Sequence, residues 1–326
     1  MSILDEINEA PDNLAITDAL VKCNAVLRNH RKVLVSVSGG SDSDVMMDLV
    51  LRCGGKEKAT FAFFNTGLEY DATKKQIQYL RDKYDVDIVD LPPIKPIPTC
   101  VREYGVPFWS KHVSEMISRL QRHNFKWEDR PFDELYAEYP KCKSALPWWC
   151  NGNVKDNGGM STFNIDWTPH LKAFMVENPP TFKISNKCCY YAKKLPASNY
   201  TESQDFDLDC VGIRKAEGGI RASRHPNCFT NKDEGANKYR PLFWFSDADK
   251  SEYEKHYNIK HSDCYEVWGM TRTGCAGCPY GKEFEDELRL AEKYEPKFHK
   301  AMLKVFGESY EYTRKYLEFR ARMKTV

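Results

Sequence analysis

Val33-Leu34-Val35-Ser36-Val37-Ser38-Gly39-Gly40-Ser41-Asp42-Ser43-Asp44 is the stretch whose reading decides the fold. Val33 to Val37 is a short apolar run, the pattern of a strand buried on both faces of a parallel sheet. A Ser/Gly/Asp turn follows, and a helix is expected from about Asp44 to Cys53. Two adjacent glycines let the backbone turn tightly and come close to a ligand. The helix start then offers unpaired N–H groups and a positive dipole end, which suit a phosphate. Ser38, Ser41 and Ser43 add hydroxyl donors. Ser36, Ser38, Gly39, Gly40, Ser41, Asp42 and Ser43 are therefore the candidate phosphate-binding residues. The same residues would also make a plain strand-to-helix turn. The Gly-x4-Gly-Lys spacing of a Walker loop is absent.

Working outward, residues 14–30 read as a helix, with Ala15, Ala19, Leu20, Cys23, Val26 and Leu27 on one side. Thr60 to Phe64 is a second strand, Asp71 to Tyr84 a second helix and Val86 to Val89 a third strand. Strands alternating with helices predict an α/β fold with a parallel sheet flanked by helices. Residues 92–180 break that rhythm. Pro92, Pro93, Pro96 and Pro98 form a loop, Ser110–His123 a helix, and a Trp- and Gly-rich stretch runs to Gly159. This reads as an insertion over the ligand edge of the sheet. Leu208 to Ile213 returns as a strand, Pro241 to Phe245 is another apolar run, and Ser246 caps a helix to about Tyr257. The expected organisation is a nucleotide-binding domain from 1–91 and 181–281, the insertion 92–180, and a charged helical region 282–326.

The 326 residues are 41% hydrophobic and 29% charged, an ordinary globular balance. A net charge of +1 means that any anion or nucleic-acid site must be a local patch. The acidic start MSILDEINEA reads as no signal peptide. No stretch approaches the ~20 apolar residues of a membrane span. The expectation is a cytoplasmic, membrane-free protein, forming a homo-oligomer. Twelve cysteines in that setting point to metal binding or redox chemistry rather than disulfides.

Three segments carry a resemblance. Ser38-Gly39-Gly40-Ser41-Asp42-Ser43 resembles the SGGxDS signature of PP-loop ATP pyrophosphatases, a superfamily that includes argininosuccinate and GMP synthetases, tRNA thiolases and phosphoadenosine-phosphosulfate (PAPS) reductases. The PAPS-reductase branch usually has Lys where this chain has Ser41. Asn65-Thr66-Gly67-Leu68-Glu69-Tyr70, with Thr73, resembles that branch's DTGxEFxxT segment, with Asn65 in place of Asp. A helix cap at Asp71 or Thr73 would also explain it. Gly212-Ile213-Arg214, with Glu217 and Arg221, resembles its GxRxxES…R segment, and two arginines there suit an oxyanion. The resemblance implies an adenine nucleotide alpha hydrolase-like fold. It also implies ATP, or PAPS or adenylylsulfate (APS), bound through the first loop with Asn65, Thr66, Gly67, Gly212 and Arg214. Mg2+ would bridge the phosphates with Asp42 a candidate ligand, and Asp42, Arg214 and Arg221 would be the catalytic set.

Cys275-Ala276-Gly277-Cys278-Pro279 is a C-x-x-C turn, able to face two thiolates toward one metal. Cys188 and Cys189 are adjacent, and Cys264 lies eleven residues before Cys275. A CC pair followed later by GCxxCP resembles the four-cysteine cluster site of adenylylsulfate reductases and of DNA phosphorothioation sulfurtransferases, which implies a 4Fe–4S cluster. Zinc and a thiol–disulfide pair are alternatives. Cys275, Cys278 and Cys188 are the leading ligands, and Cys189 and Cys264 compete for the fourth place. Cys23, Cys53, Cys100, Cys142, Cys150, Cys210 and Cys228 lack metal spacing and most read as buried residues, with a sulfur carrier as the alternative reading of Cys142 or Cys150.

Assimilatory reductases attack with a cysteine in an ECGLH-like tail, and no cysteine follows Cys278 here. The set that remains suits ATP-dependent activation of a substrate followed by sulfur transfer, with a sulfur donor such as a cysteine desulfurase. A sulfonucleotide reductase and a non-catalytic nucleotide-binding module are the alternatives. Arg119, Arg122, His123 and Lys126 form one basic group; Arg314, Lys315, Arg320, Arg322 and Lys324 form another, interleaved with Tyr310, Tyr312, Tyr316 and Phe319. Basic plus aromatic fits a nucleic-acid partner, and equally a helix with its apolar face on the core.

Overall fold

The computed structural model describes residues 2–150, 164–218, 225–281 and 283–324. Among the described residues six strands form one sheet: β1 (Val33–Val37), β2 (Ala59–Phe64), β3 (Ile88–Leu91), β4 (Leu208–Val211), β5 (Phe229–Thr230) and β6 (Asn237–Tyr239). Their order is β3-β2-β1-β4-β6-β5, and every pairing is parallel except that of β5 with β6. β1 is central because its side chains are apolar on both faces: Val33, Leu34, Val35 and Val37 are all buried. Burying each contributes about 1.5–3 kcal/mol. The register sets Ser36 beside Ala62 of β2 and Val211 of β4.

Helices follow the strands as the alternation predicts. Leu14–Arg28 precedes β1, Ser41–Arg52 joins β1 to β2, and Asp71–Tyr84 joins β2 to β3. Several boundaries differ from the sequence expectation. The helix after β1 begins at Ser41, not Asp44, because the Gly40 carbonyl already accepts from Ser43 N–H (2.9 Å) and Asp44 N–H (3.1 Å). The next helix has Tyr70 as its N-cap, with Thr73 inside the helix instead of capping it. β3 lies two residues later than read. Pro241–Phe245 is a turn, buried except at Trp244, and the strand is the polar Asn237–Tyr239 just before it, a segment short enough to hide any alternation. The Ser246-capped helix is Asp247–His256.

The described residues divide into two compact units, 1–94 with 192–276 and 95–191 with 277–326. The first holds the sheet and a core of Ile16, Leu20, Val35, Met46, Leu49, Phe61, Ile77 and Tyr253. The second is helical. Its helices include Ile97–Tyr104, Lys111–Gln121 (capped by Ser110), Leu171–Glu177, Phe284–Tyr294 and the long Pro296–Lys324. Its core is aromatic: Phe125 meets Trp127, Tyr139 and Trp149 edge-on, and Phe174 packs against Tyr312, Tyr316 and Phe319. No helix among the described residues is long and apolar enough to cross a membrane.

Candidate functional site

The strand order reverses between β1 and β4, and in open α/β sheets the ligand crevice lies at the carboxyl ends of the strands at such a point. Two of the three motif loops leave there: Ser38–Ser43 after β1, and Gly212–Arg214 after β4. Gly39 has φ +67°, and a Cβ at that position would lie 2.9 Å from Thr73 Cγ2. Glycine is thus required by the left-handed backbone and by Thr73, whose helix closes over the loop. Gly40 is the N-cap of the Ser41–Arg52 helix, so Ser41 and Asp42 start its first turn, where N–H groups have no intrahelical partner.

The hydroxyls divide in their roles. Ser43 Oγ donates to the Gly40 carbonyl (2.8 Å), accepts from Ser38 N–H (3.1 Å) and meets Ser38 Oγ (3.1 Å). Ser38 and Ser43 therefore tie the loop to itself. Ser41 Oγ instead accepts from Lys250 Nζ at 2.7 Å. Ser36 Oγ turns to Asp209 of β4 (3.4 Å), within the sheet. Gly212 lets the β4 loop approach the helix start: a Cβ there would lie 3.1 Å from the Asp42 carbonyl oxygen.

Asp42 Oδ1 is held by two cations, Arg214 Nε at 2.9 Å and Lys250 Nζ at 3.1 Å. Arg214 also reaches Asp247 through Nη1 (2.8 Å), so it joins two carboxylates. The arrangement makes Asp42 the anchor of two cations beside the loop. Arg221 lies outside the described residues. In the β2 loop, Asn65 Oδ1 accepts from Gly67 N–H (2.9 Å), and Thr66 is turned inward, its hydroxyl donating to the buried Glu69 at 2.6 Å. These residues shape the loop, and the Thr66 hydroxyl faces the protein interior.

Sequence reading missed four residues near the phosphate loop. Lys250 comes from the Asp247–His256 helix, 209 residues from its partner Ser41. Tyr265 Oη lies 3.3 Å from where a Gly40 Cβ would be, and pairs with Thr273 through its hydroxyl (2.9 Å) and N–H (3.1 Å). His261 sits beneath the helix that follows the loop. Its Nδ1 is 2.9 Å from Asp44 Oδ2 and its Nε2 is 2.8 Å from Glu254 Oε1. Burial works against a charged imidazole, but the two carboxylates outweigh it and push its pKa up to about 9. Asp44, fully buried, shifts up because desolvation exceeds the help of His261 and Gln76. The contacts that bring Lys250 to Ser41 and His261 to Asp44 span 209 and 217 residues; only the Ser246 cap, which orients Lys250, was visible.

Residues 32–136, which contain the phosphate loop and the β2 loop, match the phosphoadenosine phosphosulfate reductase domain family. This stretch of the chain belongs to that family. An uncharacterized protein of Methanocaldococcus jannaschii is 35% identical over 259 residues, 78% of this chain, and the chain spans 38% of that relative's length. Among solved structures, the PAPS reductase of Candida auris in its phosphate complex aligns with a TM-score of 0.43 at 11% identity, covering 78% of this chain and 87% of that one. The U34-tRNA thiolase NcsA of Methanococcus maripaludis, with its 4Fe–4S cluster, aligns with a TM-score of 0.38 at 13% identity, covering 94% and 79%.

The chain carries twelve cysteines, none in a disulfide. Among the described residues no three His, Cys, Asp or Glu side chains are gathered as a metal site. The five candidates fall in both units: Cys264 and Cys275 in the first, Cys188, Cys189 and Cys278 in the second. In the first, Ala276 N–H donates to the Leu68 carbonyl (2.6 Å), and Cys264 is buried. In the second, the Tyr310 hydroxyl donates to the Gly277 carbonyl, fixing the second half of the C-x-x-C turn on the long helix. The Tyr280 hydroxyl is buried without a hydrogen-bond partner of normal geometry; the Ser114 hydroxyl beside it is already engaged with both backbone groups of Phe108 (2.8 and 2.9 Å). Burial first, then Cys188, Cys189 and Cys278, push the Tyr280 pKa well up. An orphaned buried donor two residues after Cys278 fits a sulfur-rich group at this place.

Tyr310, Tyr312, Tyr316 and Phe319 are all buried in the second unit's core. They are the apolar face of the helix, so they offer no stacking surface to a nucleic acid. Cys142 is buried, as expected of a cysteine without metal spacing.

Proposed function

We propose that the Ser38–Ser43 loop binds the phosphates of an adenine nucleotide, and that the chain uses ATP to activate a substrate oxygen before sulfur transfer. The observation that carries this reading is the loop itself: a left-handed Gly39 and a Gly40 N-cap aim the first turn of a helix at the crevice, with Lys250 and Arg214 beside it. Such a site binds anions through N–H groups and the helix dipole. In the reaction a substrate oxygen attacks the ATP α-phosphorus, the bond to the β-phosphate breaks, and pyrophosphate leaves. A sulfur nucleophile from a donor protein such as a cysteine desulfurase then displaces AMP. The chain's contribution is positioning and stabilisation of charge. Mg2+ would neutralise the phosphates; with Asp42 Oδ1 already held by two cations, Asp42 acts first to fix those cations. Cys188, Cys275 and Cys278, with Cys189 or Cys264 as the fourth ligand, would hold a 4Fe–4S cluster, which would supply an iron site for sulfur. We place this chemistry in the cytoplasm and retain nucleic acid as a substrate class, read by surfaces other than the buried tyrosines.

A second reading, sulfonucleotide reduction, is favoured by the family match at residues 32–136. Here a thiol attacks sulfur of PAPS or APS and sulfite is released after a second thiol supplies the electrons. The two are separated by incubating anaerobically purified protein with labelled ATP plus candidate acceptors, and in parallel with PAPS or APS plus a dithiol. Pyrophosphate that depends on acceptor supports the first reading. Sulfite without ATP supports the second. Tight nucleotide binding with neither product overturns both and leaves a binding module.

A further inference from the structure

We propose that Lys250 is the cation that contacts the nucleotide phosphates at this loop, supplying from a distant helix a charge that the loop itself lacks. The inference rests on the nucleotide reading of Ser38–Ser43. Within that loop the single ionisable side chain is Asp42, an anion, which by itself repels phosphate. Two cations reach Asp42, and their geometry separates them. Both side chains are largely buried, Arg214 at 9% and Lys250 at 13% exposed, but Arg214 donates to two carboxylates, Asp42 from Nε and Asp247 from Nη1. Lys250 instead places Nζ 2.7 Å from Ser41 Oγ, in the first turn of the helix where an anion would sit. An ammonium has three donors. Those of Lys250 point to Ser41 Oγ at 2.7 Å, Asp42 Oδ1 at 3.1 Å and Glu254 Oε1 at 3.4 Å. The Glu254 contact is the longest, and the same Glu254 oxygen is already paired with His261 Nε2 at 2.8 Å. One Lys250 N–H can therefore turn from Glu254 to a phosphate oxygen while Asp42 and Ser41 keep the ammonium in place. The Ser246 capping box fixes the start of the helix that presents it.

The test is equilibrium binding of ATP, PAPS and adenosine to the wild type, to Lys250→Met and to a swap variant carrying Ser41→Lys with Lys250→Ser, with thermal melting of each. Loss of one charge-assisted contact predicts ATP and PAPS affinity lower by about tenfold to a hundredfold in Lys250→Met. Adenosine affinity is unchanged, and the swap variant recovers most of the loss because the charge is back at the loop. Equal losses for adenosine, or a folded Lys250→Met that binds ATP and PAPS as the wild type does, overturn the assignment. If Lys250→Met does not fold, the swap variant decides: tight ATP binding supports the assignment, and a folded swap that fails to bind overturns it. A wild type that binds neither ATP nor PAPS removes the nucleotide reading itself, a distinct result.

Discussion

Gly39 and Gly40 are adjacent in sequence but answer to different constraints. At Gly39 the backbone is left-handed and Thr73 Cγ2 stands 2.9 Å from the place of a Cβ. Any side chain there strains the fold: the left-handed conformation alone costs a non-glycine residue about 1–2 kcal/mol. At Gly40 the backbone is extended, with φ −92°, and a Cβ would meet only hydroxyls, at 3.3–3.4 Å. We therefore expect Gly39→Ala to lower the melting temperature markedly. Gly40→Ala should leave it nearly unchanged while weakening ATP binding, because its methyl lies at the mouth of the helix N-terminus. Thermal melts with binding isotherms check both, and a Gly40→Ala protein with wild-type affinity would place the phosphate elsewhere. The glycines, serines and Asp42 were legible as a phosphate loop because a local motif is a local arrangement. What the residues do within it was not. Ser43 and Thr66 look like ligand hydroxyls in the sequence, yet Ser43 closes the loop and Thr66 faces Glu69. Lys250 and Arg214 meet Asp42 across 208 and 172 residues, a separation no spacing rule covers.

The helix that begins at Ser41 carries a second device one turn in. Asp44 on that helix is fully buried and is bridged by His261 to Glu254 on the Asp247–His256 helix. His261 is raised from 6.5 to about 9, so the stability it contributes is fully present below pH 6.5 and is lost as pH rises through about 9. A shift of this size corresponds to about 3 kcal/mol. Asp44 moves up as well, because burial dominates there. Urea unfolding between pH 6.5 and 9.5 should show falling stability, and His261→Gln should flatten the profile. A wild-type profile already flat over that range would contradict the ionised bridge. Among the elements themselves, β1, β2 and the helices at 14–28, 41–52 and 71–84 were readable from apolar runs and periodicity. β6 was not, since Asn237-Lys238-Tyr239 has neither length nor apolar pattern, and the apolar run after it is a turn.

At the scale of the whole molecule, the sheet unit and the helical unit have separate cores, one aliphatic and one aromatic. The helical character of 284–324 was readable, as was a break in the α/β pattern after β3. That 95–191 and 277–326 form one unit was not, because their shared aromatic core joins segments more than a hundred residues apart. The C-x-x-C turn spans the division between Ala276 and Gly277. Protein purified without oxygen should be brown, with about four irons and four acid-labile sulfides per chain. Cys275→Ser and Cys278→Ser should both lose iron, and whichever of Cys189→Ser and Cys264→Ser bleaches the protein names the fourth ligand. Stoichiometric zinc without visible absorption would make the cysteines structural. An adenine nucleotide on the Ser38–Ser43 loop, at the switch point of the sheet, would cover the amides of that loop. Hydrogen–deuterium exchange with and without saturating ATP, and again with PAPS, should show slowed exchange in peptides covering Gly39–Asp42 and Arg214, with the aromatic core of the helical unit unchanged. A nucleotide that binds yet leaves the Gly39–Asp42 amides exchanging at their original rate would contradict that placement.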